Sequence, residues 1–156
     1  MGEPRAGEHS HGNGPIDADR AGKVPLVDAE LTRLVIGAFY RVYNRLGFGF
    51  LESVYRESLR RELLATGVRS QPEARVDVWD LGEIIGTFRA DLLVQERLVL
   101  ELKATERLDP STRRQLLNCL RSCDLELGLV LHFGPEPRFH RLIQTVNCGR
   151  EQRKDP

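Results

Sequence analysis

Two apolar, strand-forming runs with charged residues embedded in them constrain this chain most. They are residues 89–94, Arg-Ala-Asp-Leu-Leu-Val, and residues 98–103, Leu-Val-Leu-Glu-Leu-Lys. Strands this apolar are normally buried on both faces of a sheet. Charged groups in such strands are costly unless they are paired or hold a metal ion. Asp91, Glu101 and Lys103 therefore indicate a site.

The spacing of these residues adds geometry. Side chains alternate along a strand, so Glu101 and Lys103 share a face. Gln95-Glu96-Arg97 is a short polar break that suits a hairpin. A three-residue loop sets Asp91 opposite Glu101, with their Cβ atoms roughly 5 Å apart. Two carboxylates that close repel each other, and a divalent cation with a preference for oxygen ligands, Mg²⁺ or Mn²⁺, relieves the repulsion.

Two alternatives to this interpretation stay open at the level of sequence. A two-residue loop shifts the register and moves Asp91 away from Glu101. A surface hairpin would carry the charges on a solvated face. The density of leucine and valine leaves little room for such a polar face, as these positions show: Leu92, Val94, Leu98, Leu100 and Leu102.

Composition sets looser bounds on function. A chain of 156 residues suits one domain with a modest core. Its formal net charge of zero argues against a strong non-specific nucleic-acid binder, although local basic patches remain open. No apolar run approaches membrane-spanning length, and the N-terminus lacks the apolar segment of a signal peptide. The three cysteines, Cys119, Cys123 and Cys148, fit no disulfide framework, which favours a reducing cytoplasm.

Three regions follow from the distribution of apolar residues. Residues 1–25 are rich in Gly, Pro, His and charge, so we expect a disordered tail that is dispensable for folding. Residues 26–146 are expected to form one domain, and residues 147–156 a polar C-terminal tail.

The domain begins with two predicted helices. Asp28 is a plausible N-cap of the first, and Gly47-Phe48-Gly49 ends it. The second runs from about Leu51 to Thr66, with Gly67 just past its end. Its predicted apolar stripe is Leu51, Val54, Tyr55, Leu59 and Leu63. Glu52 lies in its first turn, where a carboxylate is also favoured simply by the helix dipole.

Strands dominate the rest. Alternation and turn residues predict strands over 75–79, 84–94 and 97–104, then a helix from the Asp109 cap and Pro110 to about Cys123, then strands over 127–133 and 138–145. The order ααβββαββ is a three-strand meander with a helical crossover to further strands. It predicts an α/β (α+β) fold with a mixed sheet flanked by helices.

A family resemblance rests on several of these segments together. Residues 49–55, with Gly49, Glu52 and Tyr55, match the motif that names the GxxExxY proteins, and the chain is identified as similar to that family from about Leu31 to Ile143. The remaining matching segments are residues 89–94, 101–103, 115–118 and 133–134. These proteins resemble the PD-(D/E)XK nuclease superfamily, whose restriction-endonuclease-like core has the order αβββαβ. The resemblance implies a nuclease-type active site.

The resemblance also implies roles for individual residues. Asp91 matches the first acid and Glu101 the second, and both would bind Mg²⁺ (or Mn²⁺) with the backbone carbonyl of Leu102. Lys103 matches the lysine, and Glu52 the additional helical acid that can assist the metal. Gln115 matches the glutamine of a helix motif that positions water or phosphate.

Two positions depart from the pattern of the superfamily. Ala90 replaces a proline that varies widely among its members. Cys119 stands where the helix motif has tyrosine, which puts that helix's contact with substrate in doubt. Cys119 and Cys123 lie one helical turn apart, a spacing that favours helix-packing thiols over a shared ligand.

The predicted function is Mg²⁺-dependent hydrolysis of nucleic-acid phosphodiesters, with DNA as the expected polymer. A non-catalytic nucleic-acid- or protein-binding module on the same fold is the competing class. No membrane partner is expected, and a protein partner or homo-oligomer is left open. Basic residues on the flanking helices are candidate phosphate contacts, each also consistent with a solvated surface residue: Arg56, Arg60, Arg61, Arg113, Arg114 and Arg121.

Overall fold

A computed structural model describes residues 28–123 and 125–144 of the chain. In these residues the element order is ααβββαββ, as predicted. The elements are α1 (Ala29–Leu46), α2 (Glu52–Ala65), β1 (Ser70–Asp80), β2 (Glu83–Val94), β3 (Leu98–Lys103), α3 (Pro110–Ser122), β4 (Leu127–Phe133) and β5 (Pro137–Ile143). Both predicted tails, residues 1–25 and 147–156, lie outside the described residues, as does Cys148.

The five described strands form one mixed sheet in the order β1-β2-β3-β4-β5. Neighbouring strands are antiparallel except β3 and β4, which are parallel. A parallel pair needs a crossover connection, and α3 supplies it. The predicted α+β class with a mixed sheet flanked by helices is confirmed.

Helices cover both faces of the sheet. Leu98, Leu100 and Leu102 of β3 pack with residues of α1 and α2, whereas Val99 packs with α3. Because side chains alternate along a strand, Glu101 and Lys103 lie on the α3 face with Val99. No helix within the described ranges is both long and apolar enough to cross a membrane.

The hairpin between β2 and β3 has the predicted three-residue loop. The paired residues are Leu92–Leu100, Leu93–Val99 and Val94–Leu98. This register points Asp91 at Glu101, but the ladder ends at Leu92–Leu100, one step before them. The two strands therefore separate at the position of the acids.

The loop before α2 explains the Gly-x-x-Glu-x-x-Tyr spacing. Gly49 has φ of +118°, a conformation that favours glycine. The Tyr55 ring is fully buried and stacks on Phe133, with centroids 4.2 Å apart. Its hydroxyl donates to the carbonyl of Gly47 at 2.6 Å and accepts from the amide of Phe50 at 3.2 Å. Tyr55 thus fixes the loop that places Glu52 at the first position of α2.

One local prediction holds in part and another is wrong. Asp28 occupies the N-cap position of α1, but its side chain makes no capping hydrogen bond, and its backbone is left-handed, with φ of 49°. Its carboxylate instead accepts from the Arg97 guanidinium at 2.8 Å, a tertiary contact that local sequence does not reveal. Leu51 and Val54 do not belong to the buried stripe of α2. They are 75% and 40% exposed because the helix buries Tyr55, Leu59 and Leu63, a narrower stripe at spacings of four.

Candidate active site

Two carboxylates occupy the gap where β2 separates from β3. The Asp91 side chain accepts a hydrogen bond from the backbone amide of Leu102 at 2.7 Å. The Glu52 side chain reaches from the start of α2 and accepts from the amide of Ala104 at 3.2 Å. Amides of alternate residues point to the same edge of a strand. Carboxylates from β2 and α2 therefore converge on one edge of β3, where the ladder no longer supplies acceptors.

Glu101 and Lys103 form an ion pair beside this gap. The Lys103 ammonium donates to the Glu101 carboxylate at 2.7 Å. Their side chains are only 26% and 14% exposed for the lysine and the glutamate. This ion pair requires both side chains to lie on the same face of β3, as the alternation along the strand predicted.

Electrostatic effects tie the four groups together. Burial raises the pKa of the Glu101 carboxyl, the Lys103 hydrogen bond opposes that rise, and the negative charges of Asp91 and Glu52 add to it. Burial alone would lower the pKa of Lys103, but the hydrogen bond to Glu101 and the charges of Glu101, Glu52 and Asp91 raise it overall. We call Glu52, Asp91, Glu101 and Lys103 the acidic cluster.

Arg56 adds a second cation to this region. It lies one turn after Glu52 on α2, and its guanidinium is 3.3 Å from the Asp91 carboxylate and 3.7 Å from that of Glu73. The sequence indicated Arg56 as a phosphate contact and did not indicate this ion pair. The i,i+4 spacing to Glu52 was the available signal, because it places both side chains on one side of the helix.

Comparison with known families identifies the superfamily of this chain. A family model of the PD-(D/E)XK nuclease superfamily matches residues 29–144. The chain belongs to the PD-(D/E)XK nuclease superfamily. The match covers every described helix and strand, so the superfamily's fold is the fold of this chain. The narrower assignment to the GxxExxY proteins stays a prediction.

Other comparisons add less. No curated protein matches the chain. The crystal structure of SSO0001 is similar to 76% of this chain at 17% sequence identity, with a TM-score of 0.46. The match covers 60% of the SSO0001 chain, so this chain spans less than two thirds of that protein's length.

The acidic cluster fits a divalent ion in charge and in donor chemistry. PD-(D/E)XK nucleases generally use such ions. Carboxylate oxygens are the ligands that Mg²⁺ and Mn²⁺ prefer, and three carboxylates outnumber the two nearby cations, Lys103 and Arg56. No three His, Cys, Asp or Glu side chains of residues 28–123 and 125–144 are grouped as a ready metal site. Each acid instead contacts an internal donor, so simultaneous coordination requires these side chains to rearrange.

Gln115 lies apart from this hydrogen-bond network. It is exposed on α3 and lines a cavity of about 370 Å³ with Phe88, Asn118 and Cys119. Within the described residues it makes no hydrogen bond to the acidic cluster, so its assigned role stays a prediction. Cys119 is buried, and the pKa of its thiol is raised by the hydrogen bond to Cys123 and by burial. A protonated, buried thiol supports the packing interpretation of this pair.

The six candidate arginines are dispersed. Arg60 and Arg61 both bind Glu57, at 2.8 and 2.7 Å. Arg121 donates to the Gln144 side chain at 3.2 Å. Arg113 and Arg114 are exposed on α3, and Arg113 lines a separate cavity near β4 and β5. The structure thus brings Arg56 alone of the six into direct contact with the acidic cluster.

Proposed function

We propose that the chain is a metal-dependent nuclease that hydrolyses phosphodiester bonds of nucleic acid, with DNA as the expected polymer. One observation carries the proposal. Glu52, Asp91 and Glu101 meet Lys103 where β2 and β3 separate, in a chain that belongs to a nuclease superfamily. A binding surface alone gains nothing from half-buried like charges that repel one another.

The proposed roles follow from the chemistry of each group. Asp91 and Glu101 would hold Mg²⁺ or Mn²⁺ with the backbone carbonyl of Leu102, and Glu52 would assist them. The bound ion supplies Lewis acidity at the phosphate and lowers the pKa of a coordinated water. Lys103 orients the attacking water or neutralises negative charge that develops at the phosphate. Gln115 is proposed to position water or phosphate from α3.

The Arg56–Asp91 contact has a role in the same proposal. An arginine that holds a metal-binding carboxylate keeps like charges apart while no ion is bound. If Asp91 held a cation, the Arg56 guanidinium, which also faces Glu73 at 3.7 Å, would have a donor available for a phosphate of the substrate. This exchange reconciles the ion pair with the phosphate-contact role expected from sequence.

A non-catalytic binding module is the second candidate, and one observation favours it. Every acid of the cluster already has a hydrogen-bond donor within the chain. A binding module needs no cation to complete such a network. Location in the cytoplasm and any protein partner or second copy stay predictions in either case.

A metal titration with a cleavage assay separates the two candidates. Purified protein is incubated with Mg²⁺ or Mn²⁺ and with labelled single- and double-stranded DNA and RNA. A nuclease yields shorter products that depend on metal, and Asp91→Asn abolishes them. Binding to these polymers without metal-dependent products, at any metal concentration tried, would support the module and contradict the nuclease.

Metal should also stabilise the fold, because carboxylate repulsion is relieved only where the chain has brought the acids together. We expect Mg²⁺ or Mn²⁺ to raise the Tm of the wild type and to leave the Tm of Asp91→Asn unchanged. Asparagine retains an oxygen that accepts from the Leu102 amide, so the variant should fold. Asp80→Asn, an exposed change at the β1–β2 turn, is the matched control and should respond as wild type. Equal responses of all three proteins would contradict a metal site at Asp91.

A further inference from the structure

A second cavity lies beside the acidic cluster, at the ends of β4 and β5. Its volume is about 490 Å³. We call it the basic cleft, after its basic lining residues, Arg107, Arg113, His132, Arg138 and His140. Two acids, Glu106 and Glu136, also line it, and Glu136 is paired with Arg138 at 2.6 Å. None of these residues except Arg113 was a candidate from sequence.

Strand register places the basic cleft next to the proposed catalytic residues. His132 of β4 is the register partner of Lys103 in the parallel β3–β4 pair. Arg138 of β5 is in turn the partner of His132. Register partners share a face of the sheet, and neighbouring strands lie roughly 5 Å apart. Lys103, His132 and Arg138 therefore form a row that runs from the acidic cluster across β4 to β5.

His132 carries an unmet hydrogen-bonding capacity. The residue is 4% exposed, and its Nε2 lies 2.7 Å from the carbonyl oxygen of Thr105, so Nε2 must be the donor. Gly134 leaves room for the ring, because a Cβ at that position would lie 2.5 Å from its Cε1. Its buried Nδ1 has no hydrogen-bond partner in the described part of the chain. With Nε2 as the donor, Nδ1 is an acceptor and does not itself contribute to binding an anion.

The surrounding charge indicates the type of ligand. Arg107 and Arg113 have no carboxylate partner among residues 28–123 and 125–144. Burial lowers the pKa of His140, and the charges of Arg113, His132 and Arg138 lower it further. Those positive groups are thus crowded around one cavity. A tetrahedral anion with several acceptor oxygens would satisfy the guanidinium groups of Arg107 and Arg113.

We propose that the basic cleft binds a phosphate group of the nucleic-acid strand, adjacent to the phosphodiester at the acidic cluster. The identity of the ligand as nucleic acid rests on the proposed function, whereas the affinity for a phosphate rests on the cleft itself. The row from Lys103 to Arg138 gives the direction of the strand across the sheet. Arg107 and Arg113, with free guanidinium groups, make the phosphate contacts.

Binding isotherms in Ca²⁺, which blocks cleavage chemistry, test the proposal. The probe is a fluorescein-labelled 20-nucleotide DNA, single-stranded and as a duplex, titrated at several salt concentrations. Arg113→Ala and Arg107→Ala should each weaken binding about tenfold, as expected for a lost charged hydrogen bond. Each should also reduce the slope of log affinity against log salt by about 0.7 to 0.9.

Arg69→Ala is the matched control for net charge. Arg69 is exposed and lies beside Gln95 of the β2–β3 loop, at the opposite end of β3 from Lys103. Its loss should change affinity less than twofold. Losses at Arg107 and Arg113 no larger than at Arg69, or a wild type that binds neither probe, would overturn the proposal. If the wild type cuts DNA but Arg113→Ala binds DNA as the wild type does, the nuclease proposal stands and the cleft proposal fails. If the wild type does not cut DNA but Arg113→Ala weakens binding, the cleft proposal stands and the nuclease proposal fails.

Discussion

At the scale of single residues, Tyr55 shows how a side chain outside the acidic cluster controls it. The hydroxyl bridges Gly47 and Phe50, on both sides of the turn that leads into α2. The ring meanwhile stacks on Phe133 in the core. The Tyr55 side chain therefore both packs in the core and fixes the turn that positions Glu52.

Tyr55→Phe tests this link. The ring and its stacking remain, but the Gly47 carbonyl and the Phe50 amide lose a partner. We expect the free energy of unfolding to fall by about 1–3 kcal/mol, the cost of leaving partly buried polar groups unpaired. Urea denaturation measures the loss, with Tyr40→Phe, at a partly exposed ring, as the control. Equal stabilities of the two variants would show that the bridge is unimportant.

In the proposed function, Lys103 acts on the cleavage reaction and does not bind the metal. It supplies no oxygen ligand, so Lys103→Ala should keep its metal affinity. Its contribution belongs to the transition state and should appear in rate rather than in ground-state binding. We expect a loss of about 10²–10³-fold in single-turnover cleavage, typical for one lost charge-stabilising donor.

Asp91→Ala serves as the contrast, because it should lose metal binding and cleavage together. Nucleic-acid affinity in Ca²⁺, measured in parallel for Lys103→Ala, separates a catalytic from a binding effect. Wild-type cleavage by saturated Lys103→Ala protein would remove Lys103 from the mechanism.

At the scale of elements, one glutamate joins α1 to α2. Glu62 accepts from Arg41 at 2.7 Å and from Arg45 at 3.2 Å. The hydrogen bond from Arg41 lowers the pKa of the Glu62 carboxyl, burial opposes this, and the bond from Arg45 adds to it. Because α2 carries both Glu52 and Arg56, this contact also fixes their approach to β2 and β3.

Glu62→Gln should therefore destabilise the protein in a pH-dependent way. A carboxyl whose pKa is depressed by folding stabilises the fold above its unfolded value of 4.5, and the effect is lost as pH falls through the folded value. We expect a deficit of about 0.2–1 kcal/mol at pH 7 that vanishes well below pH 4.5. Denaturation at both pH values measures it, against Glu83→Gln, an exposed change on β2. A deficit that persists in acid would have another cause.

At the scale of the whole molecule, local patterns predicted the framework. The leucine and valine alternation predicted that Asp91 lies in line with Glu101 if the loop at Gln95 has three residues, and the structure has that loop. Turn chemistry gave the limits of α2, and the strand over 127–133 was predicted residue for residue. These features depend on neighbours in sequence, which is why sequence alone contains them.

What sequence could not supply comes from contacts between distant segments. Asp28 binds Arg97, and Arg56 binds Asp91, across 69 and 35 positions. The basic cleft is lined by residues of α3, β4 and β5. Alternation along β5 puts Arg138 and His140 on one face, but only the pairing of β3 with β4 and of β4 with β5 shows that Lys103 shares this face.

A chain that begins at Val24 should fold as the full-length protein does. It retains every described residue, and the residues that it lacks contain almost no large apolar side chains. Circular dichroism and thermal melting of the two proteins should agree. A shortened chain that fails to fold would show that the first 23 residues contribute to the domain.

The separation of β2 from β3 has a further consequence for observing the molecule in solution. The amides of Leu102 and Ala104 are held by carboxylates rather than by strand carbonyls. A cation that draws those carboxylates away changes the protection of two specific backbone protons. Their exchange with deuterium would then report occupancy of the site residue by residue, with no substrate present. Binding of a cation at the acidic cluster would thus be visible in the exchange rates of two backbone amides.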